Sequence, residues 1–319
     1  MLAVVALTPQ LLGARVVAAF ATLGTADPHW LWVGSAAFAV SVLAAAGSWR
    51  SAIGLCGGRI GLTDAAARYG AGSLVNTFVP ARAGDAVRFG LFSRALAPRE
   101  RLWRTGGAFA ALGAARAVVL AAVVLVGAAM GALPLWPVLI LLALASAAIA
   151  VAALVRRREA GSRLAHVLDA FRTLGREPTS GLRLVGWLAL AVGARVVAAA
   201  AIGDALGIGS PLAAAFVIVP AVDVAGLVPL TPGNVGITSG AVAMAFEAHG
   251  IPFTQGLAAG IAFHAVETAV GIAFGLGSIA WLAPYPSPGI RRVALLATGA
   301  SASLAVAGAL SATVLIQLV

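Results

Sequence analysis

The sequence predicts an all-α fold, a polytopic bundle of transmembrane helices, and three observations lead to this class. Of the 319 residues, 61% are apolar and 10% are charged, and the mean hydropathy is +1.02. A soluble domain is about 45–50% apolar and about 25% charged, so the charged residues here could not cover a water-exposed surface. The apolar positions also form long runs, and two further segments are interrupted by proline and glycine. An ordinary soluble protein and a disordered chain are both excluded.

Seven apolar runs are long enough to cross a bilayer, which takes about 20 helical residues. We interpret all of them as helices, because an open strand leaves its backbone polar groups unpaired in lipid. The first run has no basic stretch before it, so we expect a retained span and not a cleaved signal peptide. The seven runs cover residues 2–23, 30–47, 106–130, 135–155, 184–206, 256–282 and 293–318.

Two segments of similar length, 63–96 and 211–250, carry proline and glycine at their middles. Proline removes a helical hydrogen bond, and glycine frees the backbone. We predict that each segment is a re-entrant pair of half-helices that meet at a loop. Irregular backbone at membrane depth is tolerated only where protein surrounds it or where it lines a wet cavity.

The arginines predict the orientation in the membrane. The net charge is +10, and every basic residue is an arginine. All arginines except Arg15, Arg116 and Arg195 lie in the first broken segment or in links that the predicted topology places on one face. By the positive-inside rule that face is cytoplasmic, so the N-terminus is inside and the C-terminus outside a bacterial cytoplasmic membrane. We therefore attribute the excess of basic residues to the orientation of the chain in the membrane, and we expect no nucleic-acid partner.

The two broken segments share a pattern, V-P-x-x-x-G-[D/N], which begins at Val79 and recurs 149 residues later at Val228. The same offset superposes the neighbouring spans, and the odd number of spans in each half inverts the second half. Inverted repeats with facing broken helices are typical of transporters; chance recurrence of a short pattern is the alternative. The predicted organisation is one transmembrane domain, 1–319, with an extra first span at 1–29, a first repeat at 30–155, a cytoplasmic amphipathic linker at 156–183 and a second, inverted repeat at 184–319.

These motifs resemble those of the membrane region of lysylphosphatidylglycerol synthase/flippase proteins, which also occurs in stand-alone membrane proteins. The first family signature is N-x-x-x-P-x-R-x-G-E-x-x-R, and residues 76–88 read NTFVPARAGDAVR. The second is P-x-x-P-G-G-x-G-x-x-E, and residues 229–239 read PLTPGNVGITS. Asp85 and Ser239 replace the two family glutamates. The resemblance implies movement of a lipid between leaflets, without aminoacyl transfer, because that activity belongs to a separate soluble domain.

Arg82, Asp85 and Arg88 of the first signature are candidate headgroup-binding residues. A half-helix that starts near Gly84 places Asp85 and Arg88 on one face. Arginine can bind a phosphate through two parallel hydrogen bonds. We therefore expect Arg82 and Arg88 to hold a lipid phosphate, with Asp85 orienting one of them. The alternative is an interfacial anchor that meets anionic lipid.

Uncharged polar side chains near the two breaks are further candidates. They either line the substrate path or cap half-helices and satisfy freed backbone groups. These residues are Asn76, Thr231, Asn234 and Thr238.

Three charged residues, Arg116, Arg195 and Glu267, fall near the middles of spans. Such groups usually face the protein interior and pair, because a charge at the bilayer centre costs roughly 2.5–3.5 kcal/mol. We expect Glu267 to pair with one of the two arginines and to leave the other for an anionic substrate; a purely structural network is the alternative. Glu267 or Asp223 is a candidate proton carrier. His264 lies three residues before Glu267, but no cysteine or histidine cluster completes a metal site, so neither metal nor cofactor is expected.

The leading functional hypothesis is a lipid transporter or flippase for an anionic lipid or lipid-linked precursor. No Walker motif is present, so direct use of ATP is not expected. An enzyme is not expected, since no catalytic motif is found. A membrane-embedded enzyme acting on a lipid phosphate and an ion-coupled small-solute transporter are the alternatives. Membrane lipids are the expected partners, and the oligomeric state is left open.

Overall fold

The computed structural model describes residues 19, 21–79, 83–98, 101–133, 178–226 and 235–282, and within these ranges every regular element is helical. The all-α class is therefore as predicted. Eight helices carry the argument below. In chain order they are α1 Pro28–Leu55, α2 Leu62–Phe78, α3 Ala83–Ser93, α4 Arg101–Ala129, α5 Pro178–Ala205, α6 Pro211–Ala225, α7 Val235–Glu247 and α8 Phe253–Leu282.

Four of these helices, α1, α4, α5 and α8, are long and apolar enough to cross a membrane. They correspond to the second, third, fifth and sixth predicted runs. Proline favours helix starts, since it has no N–H to leave unpaired there. α1 begins at Pro28 behind Asp27, whose carboxylate accepts a hydrogen bond from the backbone N–H of His29 at 2.9 Å. The predicted runs 135–155 and 293–318, most of run 2–23 and nearly all of the linker lie outside the described residues.

Both broken segments are pairs of short helices, as predicted. α2 has 17 residues and α3 has 11, and α2 ends at Phe78, since the next residue, Val79, has extended backbone geometry. α6 has 15 residues and α7 has 13, and these two are separated by residues 226–234. None of the four reaches the about 20 residues that a full span requires.

The centre of the bundle is the contact between α1 and α5, the most extensive pair of helices in the described part of the chain. The Ser41 hydroxyl of α1 donates to the Ala191 carbonyl of α5 at 2.8 Å. At Gly47, an added Cβ would lie 2.5 Å from the Trp187 ring, so only glycine admits the indole. Small residues bring transmembrane helices close enough for their backbones to pack directly.

α2 packs against α8 along its length. A Cβ on Gly275 would lie 2.5 Å from Leu74 and 3.0 Å from the Gly70 carbonyl oxygen, so glycine sets this spacing. Nearer the start of α2, the Trp281 indole N–H donates to the Asp64 carboxylate at 3.0 Å. The contact between α4 and α6 is smaller.

Three arginines tie together the helix ends where α1 and α3 finish and α2 and α4 begin. Each donates to a backbone carbonyl: Arg50 to Ile60 at 3.0 Å, Arg68 to Leu91 at 2.6 Å and Arg104 to Cys56 at 3.3 Å. The arginine-bearing ends of these helices thus meet on one side of the bundle. That this side is cytoplasmic stays a prediction.

Candidate functional site

The first break positions a polar cluster between α2 and α3, which we call the Arg88 cluster. Asp85 lies in the first turn of α3, and Arg88 follows one turn later on the same face. The other members come from α2, where Tyr69, Ser73 and Asn76 recur at helical spacing.

The two half-helices approach closely because glycines face each other. A Cβ on Gly84 would clash with the Gly72 carbonyl oxygen and would lie 2.5 Å from the Asn76 amide oxygen. The backbone N–H of Gly84 donates to that amide oxygen at 2.6 Å. Asn76 therefore satisfies a free N–H at the start of α3, as a capping residue does. Of the two interpretations of Asn76, the capping role is the one the structure displays.

Arg88 is held by all three of its nitrogens. Its Nη1 pairs with Asp85 Oδ1 at 2.6 Å, its Nη2 donates to the Ser73 hydroxyl at 2.7 Å, and its Nε donates to the Tyr69 carbonyl at 3.3 Å. Its side chain is 12% exposed. A guanidinium has five N–H bonds, so two are without a partner among the residues that the structure describes. Asp85 orients Arg88, as the spacing predicted, and Asn76 Nδ2 also donates to Asp85 at 3.2 Å.

A second group of charges lies where α4, α5, α6 and α8 meet, and we call it the Arg195 cluster. Arg195 Nη1 of α5 pairs with Glu267 Oε1 of α8 at 2.6 Å, and its Nη2 lies 3.7 Å from Asp223 Oδ1 of α6. Arg116 of α4 donates to the same Asp223 oxygen at 2.9 Å. His264 Nδ1 lies 3.8 Å from Glu267 Oε2. Four helices are joined by this cluster.

The pairing of Glu267 with Arg195 is one of the two pairings expected from the sequence. The structure differs from the expectation for the second arginine, because Arg116 is paired with an acid and is not left for an anionic substrate. Asp223 takes it, and the two acids balance the two arginines. Arg195 is the better enclosed of the two, with 15% of its side chain exposed against 46% for Arg116.

Some polar atoms of the Arg195 cluster are buried without a hydrogen-bond partner among the described residues. They are Arg195 Nε, Asp223 Oδ2 and His264 Nδ1. Buried polar atoms are nearly always paired in folded proteins. The cluster therefore has hydrogen-bonding capacity that its ion pairs leave unused.

Tyr69 connects the two clusters. Its ring lies 4.1 Å below the Arg88 guanidinium carbon, and its phenol group lies near Arg195. Sequence reasoning missed Tyr69 and Ser73. The available signal was their spacing, since Tyr69, Ser73 and Asn76 recur at i, i+4 and i+7 on α2.

The second signature is only partly visible. Arg82, Thr231 and Asn234 lie outside the described residues. Thr238 and Ser239 are buried on α7, each with 2% exposure. A Cβ on Gly260 of α8 would lie 2.7 Å from the Ser239 Cα. The position that carries glutamate in the family signature is therefore a small residue packed against helix backbone.

Comparison with known proteins adds a family. The family described as lysylphosphatidylglycerol synthase TM region matches residues 1–275. No curated protein matches the chain. The match covers both signatures and all the residues of the two clusters, so the apolar helices described above are those of an integral membrane protein. This chain belongs to the lysylphosphatidylglycerol synthase transmembrane-region family.

Proposed function

We propose that the protein moves an anionic lipid, or a lipid-linked precursor, between the two leaflets, and that Arg82 and Arg88 hold the headgroup where the broken helices face one another. The observation that carries this proposal is the position of Arg88 beside the first break. It is held rigidly by Asp85 and Ser73, yet two of its N–H bonds have no partner among the described residues. A preorganised guanidinium binds phosphate with little loss of side-chain freedom.

The order of helix lengths supports an inverted repeat. A long helix, two short helices and a long helix occur twice, with 28, 17, 11 and 29 residues and then 28, 15, 13 and 30 residues. In transporters built this way the substrate site lies between the broken helices, and one repeat moves against the other. The proposed orientation, with the N-terminus inside and the C-terminus outside, rests on the positive-inside rule.

The unequal packing of equivalent helices supports alternating exposure of the site. α2 packs closely along α8, whereas the equivalent pair, α6 and α4, makes a smaller contact. One side of the bundle is thus closed more tightly than the other. Exchange of the two contacts would expose a bound headgroup to the opposite leaflet while its tails stay in the bilayer.

A vesicle assay tests the proposal. The purified protein is reconstituted with fluorescently labelled phosphatidylglycerol or phosphatidylcholine, and dithionite reports the fraction of label that reaches the outer leaflet. We expect faster movement of phosphatidylglycerol, a loss of that movement in Arg82→Ala and Arg88→Gln, and wild-type rates in Arg94→Gln. Arg94 is the matched control, because it lies exposed just beyond α3.

Three results would contradict the proposal. Equal rates for wild type and Arg88→Gln would remove the headgroup site. Formation of a chemically altered lipid, detected by mass spectrometry of the recovered vesicles, would favour an enzyme acting on a lipid phosphate. Uptake of a water-soluble solute without lipid movement would favour the small-solute transporter.

A further inference from the structure

The Glu267 carboxylate lies close to two side chains. One is an arginine, which stays charged, and the other is a histidine, which can gain or lose a proton. One carboxylate oxygen pairs with Arg195, which is always charged, at 2.6 Å. The other lies 3.8 Å from Nδ1 of His264, one turn earlier on the same helix. Imidazole is the side chain whose unperturbed charge changes between about pH 5 and 8. The side chain of His264 is 11% exposed, and its Nδ1 has no hydrogen-bond partner among the described residues.

The groups around this pair come from each helix that packs nearby. α5 contributes Arg195, α6 contributes Asp223, and α4 reaches Asp223 through Arg116. α2 contributes Tyr69, which lies near Arg195. The helices α1 and α7 also pack on α8, and their charged or titratable residues lie towards their ends: His29, Arg50 and Glu247. The environment of His264 is therefore two arginines and two acids in balance.

We propose that His264 and Glu267 form a proton-binding site, and that the proton competes with Arg195 for the Glu267 carboxylate. The link to lipid rests on the proposed function. With His264 neutral, the Arg195 cluster has no net charge. A bound proton leaves it with one excess positive charge inside the bundle, where a low effective dielectric strengthens attraction for an anion.

The structure indicates how the excess charge reaches the headgroup. A proton shared by His264 and Glu267 weakens the hold on Arg195, whose Nε is already without a partner in the described residues. Arg195 then has N–H bonds for a phosphate, and Tyr69, which stacks on Arg88, lies near it. By linkage, a proton that strengthens anion binding is itself bound more tightly when the anion is present. Proton and headgroup would travel together.

Calorimetric titration with dioctanoyl phosphatidylglycerol between pH 6 and 8 tests the coupling. If one proton is taken up with the lipid, the Kd of the full-length protein rises by up to about tenfold for each unit of increasing pH. We expect this slope to vanish in His264→Gln and Glu267→Gln. The slope should persist in His249→Gln and Glu247→Gln, since both residues are exposed on or just after α7. A wild-type Kd independent of pH, or an unchanged slope in His264→Gln, would overturn the coupling.

Infrared difference spectra of the lipid-free protein between pH 5 and 8 separate this inference from the proposed function. We expect imidazole and carboxyl bands that are lost in both His264→Gln and Glu267→Gln and kept in His249→Gln. Those bands together with no lipid binding would reject the proposed function and retain the proton site. Their absence from the wild type would reject the proton site whether or not lipid binds.

Discussion

The ring of Tyr69 lies 4.1 Å below the guanidinium carbon of Arg88, and this stacking joins the middle of α2 to the first turns of α3. Because Tyr69 also lies near Arg195, one aromatic side chain is close to an arginine of each cluster. Arginine held over an aromatic face keeps its charge while losing contact with water. We therefore expect a substitution at Tyr69 to affect the surroundings of both Arg88 and Arg195.

Two substitutions at Tyr69 distinguish the contribution of the aromatic ring from that of the hydroxyl. Tyr69→Phe keeps the stacked ring, and we expect its thermal midpoint in detergent to match the wild type. Tyr69→Leu removes the stacking, which contributes about 0.5–2 kcal/mol at a desolvated site, so its midpoint should fall. If Tyr69→Phe nevertheless slows lipid movement in vesicles, the hydroxyl has a role besides packing. Equal midpoints for Phe and Leu would show that the stacking contributes nothing.

The close approach of α2 and α3 predicts an unusual sensitivity at Gly84. Gly84→Ala places a methyl group against the Gly72 carbonyl, and the resulting strain should cost about 1–3 kcal/mol or more. Gly90→Ala on the same helix is the matched control, because an added Cβ there meets nothing within 4 Å. Thermal unfolding in detergent measures both. Similar stabilities for the two variants would contradict the packing described here.

Asn76 accepts from the Gly84 N–H and donates to Asp85, and a charged substitution distinguishes these two roles. Asn76→Asp keeps an acceptor for the Gly84 N–H but places a second carboxylate 3.2 Å from Asp85. Asn76→Ala removes the cap, which is typically worth about 0.5–2 kcal/mol. We expect both variants to lose stability, with Asn76→Asp recovering as the pH is lowered and Asn76→Ala not recovering. Unfolding midpoints measured at pH 5 and pH 8 check this.

Glu267→Gln should be among the more destabilising substitutions. It leaves Arg195 in the bundle without its nearest acid, and removing one partner of a buried ion pair costs about 3–5 kcal/mol. The exposure of the Glu267 side chain, 28%, places the expected loss at the lower end of that range. Glu247→Gln, on the exposed end of α7, should have little effect.

A double-mutant cycle tests whether the pair itself is responsible. Arg195→Met combined with Glu267→Gln removes both charges and should be more stable than Glu267→Gln alone, because no uncompensated arginine remains. Strictly additive losses would show that the two side chains do not couple. Unfolding midpoints of the three variants at one pH give the coupling energy.

The sequence was sufficient to predict where most described helices lie. Hydropathy runs placed α1, α4, α5 and α8, and proline and glycine placed the breaks after α2 and α6. The Asp85–Arg88 pair also followed from helical spacing, since i and i+3 positions share a face. These features depend on neighbours in the chain, which a single sequence displays directly.

The remaining contacts depend on how helices rotate against one another. Arg116 and Arg195 were equivalent from the sequence, and only the packing of α4, α5, α6 and α8 assigns Glu267 to Arg195 and Asp223 to Arg116. Tyr69 was missed for the same reason. On α2 it looks like an ordinary core aromatic, and its significance comes from Arg88 on the next helix and Arg195 on a distant one.

The pairing of Arg116 with Asp223 has a consequence for how the chain is made. The two residues are 107 positions apart, and the arginine is synthesised first. At a synthesis rate of about 5–20 residues per second, about 5–20 s pass between the synthesis of Arg116 and that of Asp223. During that time α4 carries an uncompensated charge at membrane depth, held by the insertion machinery, by water or by lipid phosphate. In a variant that lacks Asp223, Arg116 never gains this carboxylate partner. We therefore expect the defect to appear during membrane insertion, as degradation of the nascent protein.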